Sequence, residues 1–212
     1  MPMTIPMTLR IAVFASGGGS NFEAILAHGV AVSLVVADRP NVGVLGRAAH
    51  HGVKSVVLPD HTDGPALMDQ LRHHHIDLLA LAGYLRHVPD AVTRAYRGQI
   101  LNVHPSLLPA FGGPGMYGHR VHAAAIAAGV RVSGATVHFV DEVYDRGPII
   151  AQWPVPVRPD DTADALAARV LEAEHTLYPR VVAEVAGGHV HLDPTGRVVY
   201  QSDAEERLSA WR

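Results

Sequence analysis

An amide and an imidazole stand two positions apart at Asn102 and His104, and prolines follow at Pro105 and Pro109. Alternate residues of an extended segment share a face, so the two side chains point the same way. Together they suit attack on a carbonyl carbon: an amide N–H stabilises a developing oxyanion, and an imidazole gives or takes a proton near neutral pH. Gln99-Ile100-Leu101 reads as the buried strand that delivers them to its C-terminal end. Open α/β sheets bind their ligands at that edge. Taken alone, the pair is equally well read as a turn-capping asparagine and a satisfied core histidine.

Two further segments carry possible chemistry. Val132 to Val140 reads as a strand that runs into Asp141-Glu142-Val143-Tyr144-Asp145-Arg146-Gly147-Pro148, with another strand from Ile149 to Val155. The connecting loop is short and closed by Gly-Pro, which holds its carboxylates in place; an aspartate facing His104 would favour the cationic ring. Near the amino terminus, the hydrophobic run Leu9 to Phe14 leads into Ala15-Ser16-Gly17-Gly18-Gly19-Ser20-Asn21 and a helix from Phe22 to about His28. Free backbone amides at a helix N-terminus form a phosphate site. Gly17-x-Gly19, with Asp38 at the end of the second strand, also partly fits a dinucleotide fingerprint. Phe22 occupies the place of its third glycine, so the loop suits one terminal phosphate better.

These side chains need a scaffold, and the chain alternates strands with helical stretches. The pattern predicts strands at 9–14, 31–36, 54–57, 77–81 and 99–103, and helices near 21–28, 43–51, 63–74, 89–95 and 119–128. Strands near 131–140 and 148–155, a helix at 162–185 and a closing pair at 189–192 and 196–200 follow. This is α/β with a mostly parallel twisted sheet flanked by helices. Residues 1–8 read as a flexible extension and 9–212 as one domain. Zero cysteines exclude disulfides and thiol catalysis, and they permit a reducing cytoplasm. A net charge of −3 offers no footprint for nucleic acid, and no apolar run reaches the roughly 20 residues that span a bilayer. Fifteen histidines invite a metal reading, but His73-His74-His75 would diverge around a helix and suit its solvated C-terminal end. His119 and His122 lack an obvious third ligand and read as surface or substrate-loop residues.

Asn102-Val103-His104-Pro105-Ser106-Leu107-Leu108-Pro109, His138-Phe139-Val140 and Tyr144-Asp145-Arg146-Gly147-Pro148 resemble the catalytic set of the folate-dependent formyltransferases. The glycine loop, Leu81-Ala82-Gly83-Tyr84-Leu85-Arg86 and Glu174-His175-Thr176-Leu177-Tyr178-Pro179 resemble the members that act on glycinamide ribonucleotide. The resemblance implies a Rossmann-like formyltransferase fold with a small C-terminal β-hairpin. Its N-terminal half would bind the nucleotide and its C-terminal half would complete the folate cleft. The implied reaction moves the formyl group of 10-formyltetrahydrofolate to the amine of glycinamide ribonucleotide, in de novo purine biosynthesis. Asn102 and His104 would stabilise the oxyanion, and Asp145 would keep His104 charged and help move the proton. Gly18, Gly19, Ser20 and Asn21 would hold the phosphate, and Glu174 the ribose hydroxyls; by residue type alone Glu174 would be a solvated helix carboxylate. Leu85, Arg86, His87 and Val88, facing Val140 and Asp141 and joined by Asn102 and Asp145, would take the folate. No metal is implied. The partners would be these small molecules, neither nucleic acid nor membrane, with the chain cytoplasmic and either monomeric or homodimeric.

Three features depart from the family pattern. Arg146 replaces a small residue after the aspartate and could alter the loop or reach the folate tail; the glycine-rich 110–118 segment is long and reads equally as a mobile substrate loop or a rigid structural turn; and 58–64 lacks an arginine that some relatives place there for folate. A formyltetrahydrofolate hydrolase would add an N-terminal regulatory domain, and a methionyl-tRNA formyltransferase a basic C-terminal domain. Neither is expected here.

Overall fold

Along Ile11–Ala15 and Leu78–Leu81 burial is unbroken, because both faces of the sheet are covered there. The computed structural model describes residues 9–201 and 203–209. β1 (Ile11–Ala15), β2 (Val32–Ala37), β3 (Lys54–Val57), β4 (Leu78–Leu81) and β5 (Ile100–His104) run parallel, linked by α1 (Ser20–Ala27), α2 (Gly43–His50), α3 (Gly64–His73) and α4 (Asp90–Ala95). α5 (His119–Ala127) precedes β6 (Val132–Phe139) and β7 (Ile149–Pro156), which join antiparallel. α6 (Ala163–Ala186), the hairpin β8 (Val190–Leu192) and β9 (Val198–Tyr200), and α7 (Ala204–Leu208) complete the chain. The expected elements are present, with ends moved by a few residues. α7 was not expected. Residues 1–8, read from sequence as an extension, lie outside the described residues.

The seven strands lie in the order β3-β2-β1-β4-β5-β6-β7. Strand order therefore reverses between β1 and β4, and the loops leaving their C-terminal ends diverge around a crevice, the usual ligand position in such sheets. Val13, Ala15, Val35, Leu101 and Val103 face Phe22 and Ile25 of α1 and Leu177, Tyr178 and Val181 of α6. Ala12, Phe14, Leu34, Val36, Leu79 and Ile100 face Leu67 and Leu71 of α3 and Val92 of α4. On this second face the apolar alternation of β5 ends after Ile100, and the next two positions are Asn102 and His104. Burying the site's neighbours on both sides makes the strand end rigid. Each fully buried aliphatic or Phe side chain contributes about 1.5–3 kcal/mol.

His73 ends α3, His74 is its C-cap and His75 follows at φ 51°, so the three occupy the solvated helix end that their position suggested. The reading of His122 changes. His122 is buried at 4% exposure rather than on the surface, whereas His119 is exposed and lies 3.5 Å from Asp164. Among the described residues no helix is long and apolar enough to cross a membrane, and no group of three or more His, Cys, Asp or Glu side chains is placed to hold a metal ion.

Candidate active site

Antiparallel pairing of β5 with β6 sets Asn102 opposite His138 and His104 opposite Thr136, so four polar side chains share one patch of the sheet. A bulge between Val137 and His138 breaks the register with β7 at this point, a frequent device beside functional sites. Thr136 Oγ1 donates to the Ser106 carbonyl at 2.6 Å and accepts from the Leu108 amide and Gln152 Nε2, both at 3.0 Å. The turn after β5 is thereby anchored to β6 and β7.

The β6–β7 loop returns Asp145 to this patch. Asp145 has φ 54°, a left-handed conformation that aspartate tolerates better than most residues. Gly147 packs so closely on the Phe139 carbonyl that a side chain there would overlap it. The Asp145 carboxylate is largely buried. It accepts from the Gly113 amide at 2.7 Å and lies 3.5 Å from His104 Nδ1 and 3.8 Å from His138 Nε2. His104 Nε2 donates to the Phe111 carbonyl at 2.9 Å. That bond fixes the ring and leaves Nδ1, on the Asp145 side, as the nitrogen through which a proton enters or leaves.

A cavity of about 600 Å³ opens over this patch and runs across the sheet edge to α1 and α6. Every residue that sequence reasoning assigned to the site lines it: Asn102, His104 and Asp145; Gly18 to Asn21 and Glu174; Leu85 to Val88, Val140 and Asp141. At the glycine loop, Val44 N donates to the Gly17 carbonyl at 3.1 Å and Arg47 Nε to the Gly18 carbonyl at 2.8 Å. Gly19 caps α1 at φ 81°, and a Cβ there would sit 2.7 Å from Val44 Cγ2. The first amides of α1 have no carbonyl inside the helix to bond, which suits them to an anion.

Glu174 enters the cavity from α6 and accepts from Asn21 Nδ2 at 2.8 Å. It is 8% exposed, not solvated as its residue type suggests. Burial pushes its pKa up to about 7, against the lowering effect of the Asn21 bond. Across the sheet edge, Leu85 N donates to Ser16 Oγ at 2.9 Å, and Arg86 Nε donates to buried Asp38 at 2.9 Å. Asp38, the candidate ribose-binding acid of a dinucleotide site, is thus engaged by Arg86. The rings of His87 and Tyr144 meet edge-on at 5.0 Å between centroids.

Arg146 is exposed and does not line the cavity, and neither does the 58–64 segment, where Asp60 accepts from Thr62 N and Asp63 caps α3. From Gly113 to His119 the glycine-rich loop lines it. Sequence reasoning missed three groups here: His138, the Phe111 carbonyl and buried His122. Only His138 had a signal, as part of the His-Phe-Val motif.

Residues 9–182 match the formyl transferase family, and the chain belongs to it. It is 47% identical over 186 residues to a chloroplastic phosphoribosylglycinamide formyltransferase of Vigna unguiculata, covering 82% of this chain and 59% of that one. With the phosphoribosylglycinamide formyltransferase of Bacillus subtilis it shares 41% identity over 190 residues, covering 84% and 95% of the two chains. The crystal structure of the Anaplasma phagocytophilum enzyme of that name superposes with a TM-score of 0.84 at 36% identity, covering 92% of this chain and 95% of that one. Within the wider family, the chain is a member of the phosphoribosylglycinamide formyltransferases.

Proposed function

We propose that this chain transfers the formyl group of 10-formyltetrahydrofolate to the amine of glycinamide ribonucleotide, a step of de novo purine biosynthesis. The observation that carries this reading is one cavity with the N-terminus of α1 and the buried carboxylate of Glu174 at one end and the Asn102, His104 and Asp145 cluster at the other. The phosphate binds Gly18, Gly19, Ser20 and Asn21, and Glu174 accepts from the ribose hydroxyls. The folate ring lies between Leu85, Arg86, His87 and Val88 and the facing Val140 and Asp141, which line one wall of the cavity.

The amine attacks the formyl carbon, a C–N bond forms, and the carbonyl electron pair moves to oxygen. Asn102 donates to that oxygen, and His104 stabilises it from Nδ1. Asp145 compensates the charge on His104 and, directly or through water, takes the proton that leaves the attacking nitrogen. The bond to the folate nitrogen then breaks, that nitrogen takes a proton from His104, the proton held by Asp145 restores the cationic ring, and the carbonyl re-forms. Residues 9–212 act as one domain, with the nucleotide held by the N-terminal half. A cysteine-free chain suits a reducing compartment such as the cytoplasm, although two plant relatives are named as chloroplastic.

The test is an assay of tetrahydrofolate release with both substrates, beside a control without acceptor. Turnover that requires glycinamide ribonucleotide is expected. Formate release at an equal rate without acceptor would overturn the transferase reading in favour of hydrolysis.

A further inference from the structure

His138 has no part in the roles above, yet its ring is 2% exposed and sits between Asn102 and Asp145. Its Nδ1 lies 2.7 Å from the Phe139 carbonyl. A carbonyl only accepts, so Nδ1 carries the proton. Nε2 lies 3.1 Å from Asn102 Nδ2, and an amide nitrogen only donates, so Nε2 must offer a lone pair. Both contacts hold together in a single arrangement: a neutral ring, protonated at Nδ1, with the Asn102 nitrogen turned towards it. A cationic ring would present N–H at Nε2, and the amide of Asn102 would have to rotate by half a turn to meet it with oxygen.

The surroundings favour the neutral ring. Burial pushes the His138 pKa down, with the nearby charge of His104 acting in the same direction, while the Phe139 bond, Asp145 and Asp141 oppose it. Asp145 Oδ1 stands 3.8 Å from Nε2, too far for a hydrogen bond. This spacing is what a lone pair facing a carboxylate requires.

We propose that His138 is a positioning residue: its neutral ring accepts one N–H of Asn102 Nδ2, fixes which end of the amide faces the reaction, and leaves the second N–H for the formyl oxygen. The inference rests on the oxyanion role given to Asn102 under the proposed function. The cross-strand register supplies the contact directly, since Asn102 and His138 are paired residues of β5 and β6.

Two substitutions separate the ring's two nitrogens. In His138→Asn the shorter amide can still reach the Phe139 carbonyl but has no atom at the place of Nε2. In His138→Gln the side-chain oxygen reaches that place and can accept from Asn102. Steady-state kinetics should show His138→Asn losing turnover by about 10- to 100-fold, short of the full loss of an oxyanion donor, with KM for both substrates within about twofold. His138→Gln should recover most of it, and melting curves should show both variants folded. In the Asn102→Ala background, His138→Asn should cause no further loss, because residues acting through one another are non-additive. Nitrogen-15 spectra of the wild type should show one ring N–H on His138, at Nδ1. Full turnover in His138→Asn, independent losses in the double variant, no recovery in His138→Gln, or two ring N–H signals at neutral pH would overturn the proposal. Full turnover in Asn102→Ala would instead remove the oxyanion assignment itself, a distinct result from a slow Asn102→Ala enzyme on which His138→Asn still adds its loss.

Discussion

Glu174 offers the sharpest quantitative test, because its titration affects stability before any substrate is added. Burial raises its pKa to about 7 from the ordinary 4.5 of an exposed glutamate. Between those values the folded protein binds more protons than the unfolded chain, so stability falls as pH rises. The favourable contribution is fully present below about 4.5 and lost once the pH has passed about 7. At 1.36 kcal/mol per pH unit the full span is worth about 3 kcal/mol, of which about 2.5 kcal/mol lies between pH 5 and pH 8. Glu174→Gln keeps an oxygen for Asn21 Nδ2 and removes the titration. Other ionisable groups act in both proteins, so their effects cancel in the difference. Thermal melting at the two pH values should show the variant gaining on the wild type by roughly 5–10 °C as pH rises, at about 2–4 °C per kcal/mol for a chain of this size. Equal pH dependence in the two proteins would refute the claim that a carboxylate is forced into this site.

The proposed chemistry predicts that His104→Ala and Asp145→Asn each lower turnover by about 10² or more while nucleotide affinity in calorimetry stays within a few-fold; turnover near that of the wild type would remove their assigned roles. In the glycine loop, Gly19→Ala places a Cβ 2.7 Å from Val44 Cγ2 at φ 81° and should cost about 1–3 kcal/mol in denaturant unfolding, with weaker nucleotide binding. Gly17→Ala meets nothing within 4 Å and should leave stability nearly unchanged, so equal losses in the two variants would contradict the packing argument.

The fold was legible because its two periodicities are unmixed. Ile11-Ala12-Val13-Phe14-Ala15 and Leu78-Leu79-Ala80-Leu81 are apolar throughout, as strands covered on both faces must be, and polar-faced helical stretches separate them. Strand order was not legible, since apolar pattern says that a strand is buried but not beside which neighbour. α7 was missed for a related reason. Its five residues are held by distant groups: Ala204 and Leu208 pack into the core beside α6, and Arg207 pairs with Glu184 at 2.6 Å. Local propensity carries little of that stabilisation in so short a helix.

At the site, residue type and spacing brought Asn102 and His104 to one face, but the partner of each nitrogen depended on register. The His-Phe-Val motif marked His138, but its contact with Asn102 emerged only once β5 and β6 were paired, and the Phe111 carbonyl is a group that every residue possesses. Glu174 differs, because its burial was readable. Val170, Glu174, Leu177 and Val181 fall on one stripe of α6, and Ala173 and Tyr178 flank them. A helix buries such a stripe whatever occupies one of its positions. The surface preference of glutamate is an average over positions, whereas the stripe is a property of this one, and the position decides. A carboxylate in the middle of an apolar stripe pays the desolvation cost at every pH above its pKa, so its presence marks a site where something other than folding requires an acceptor.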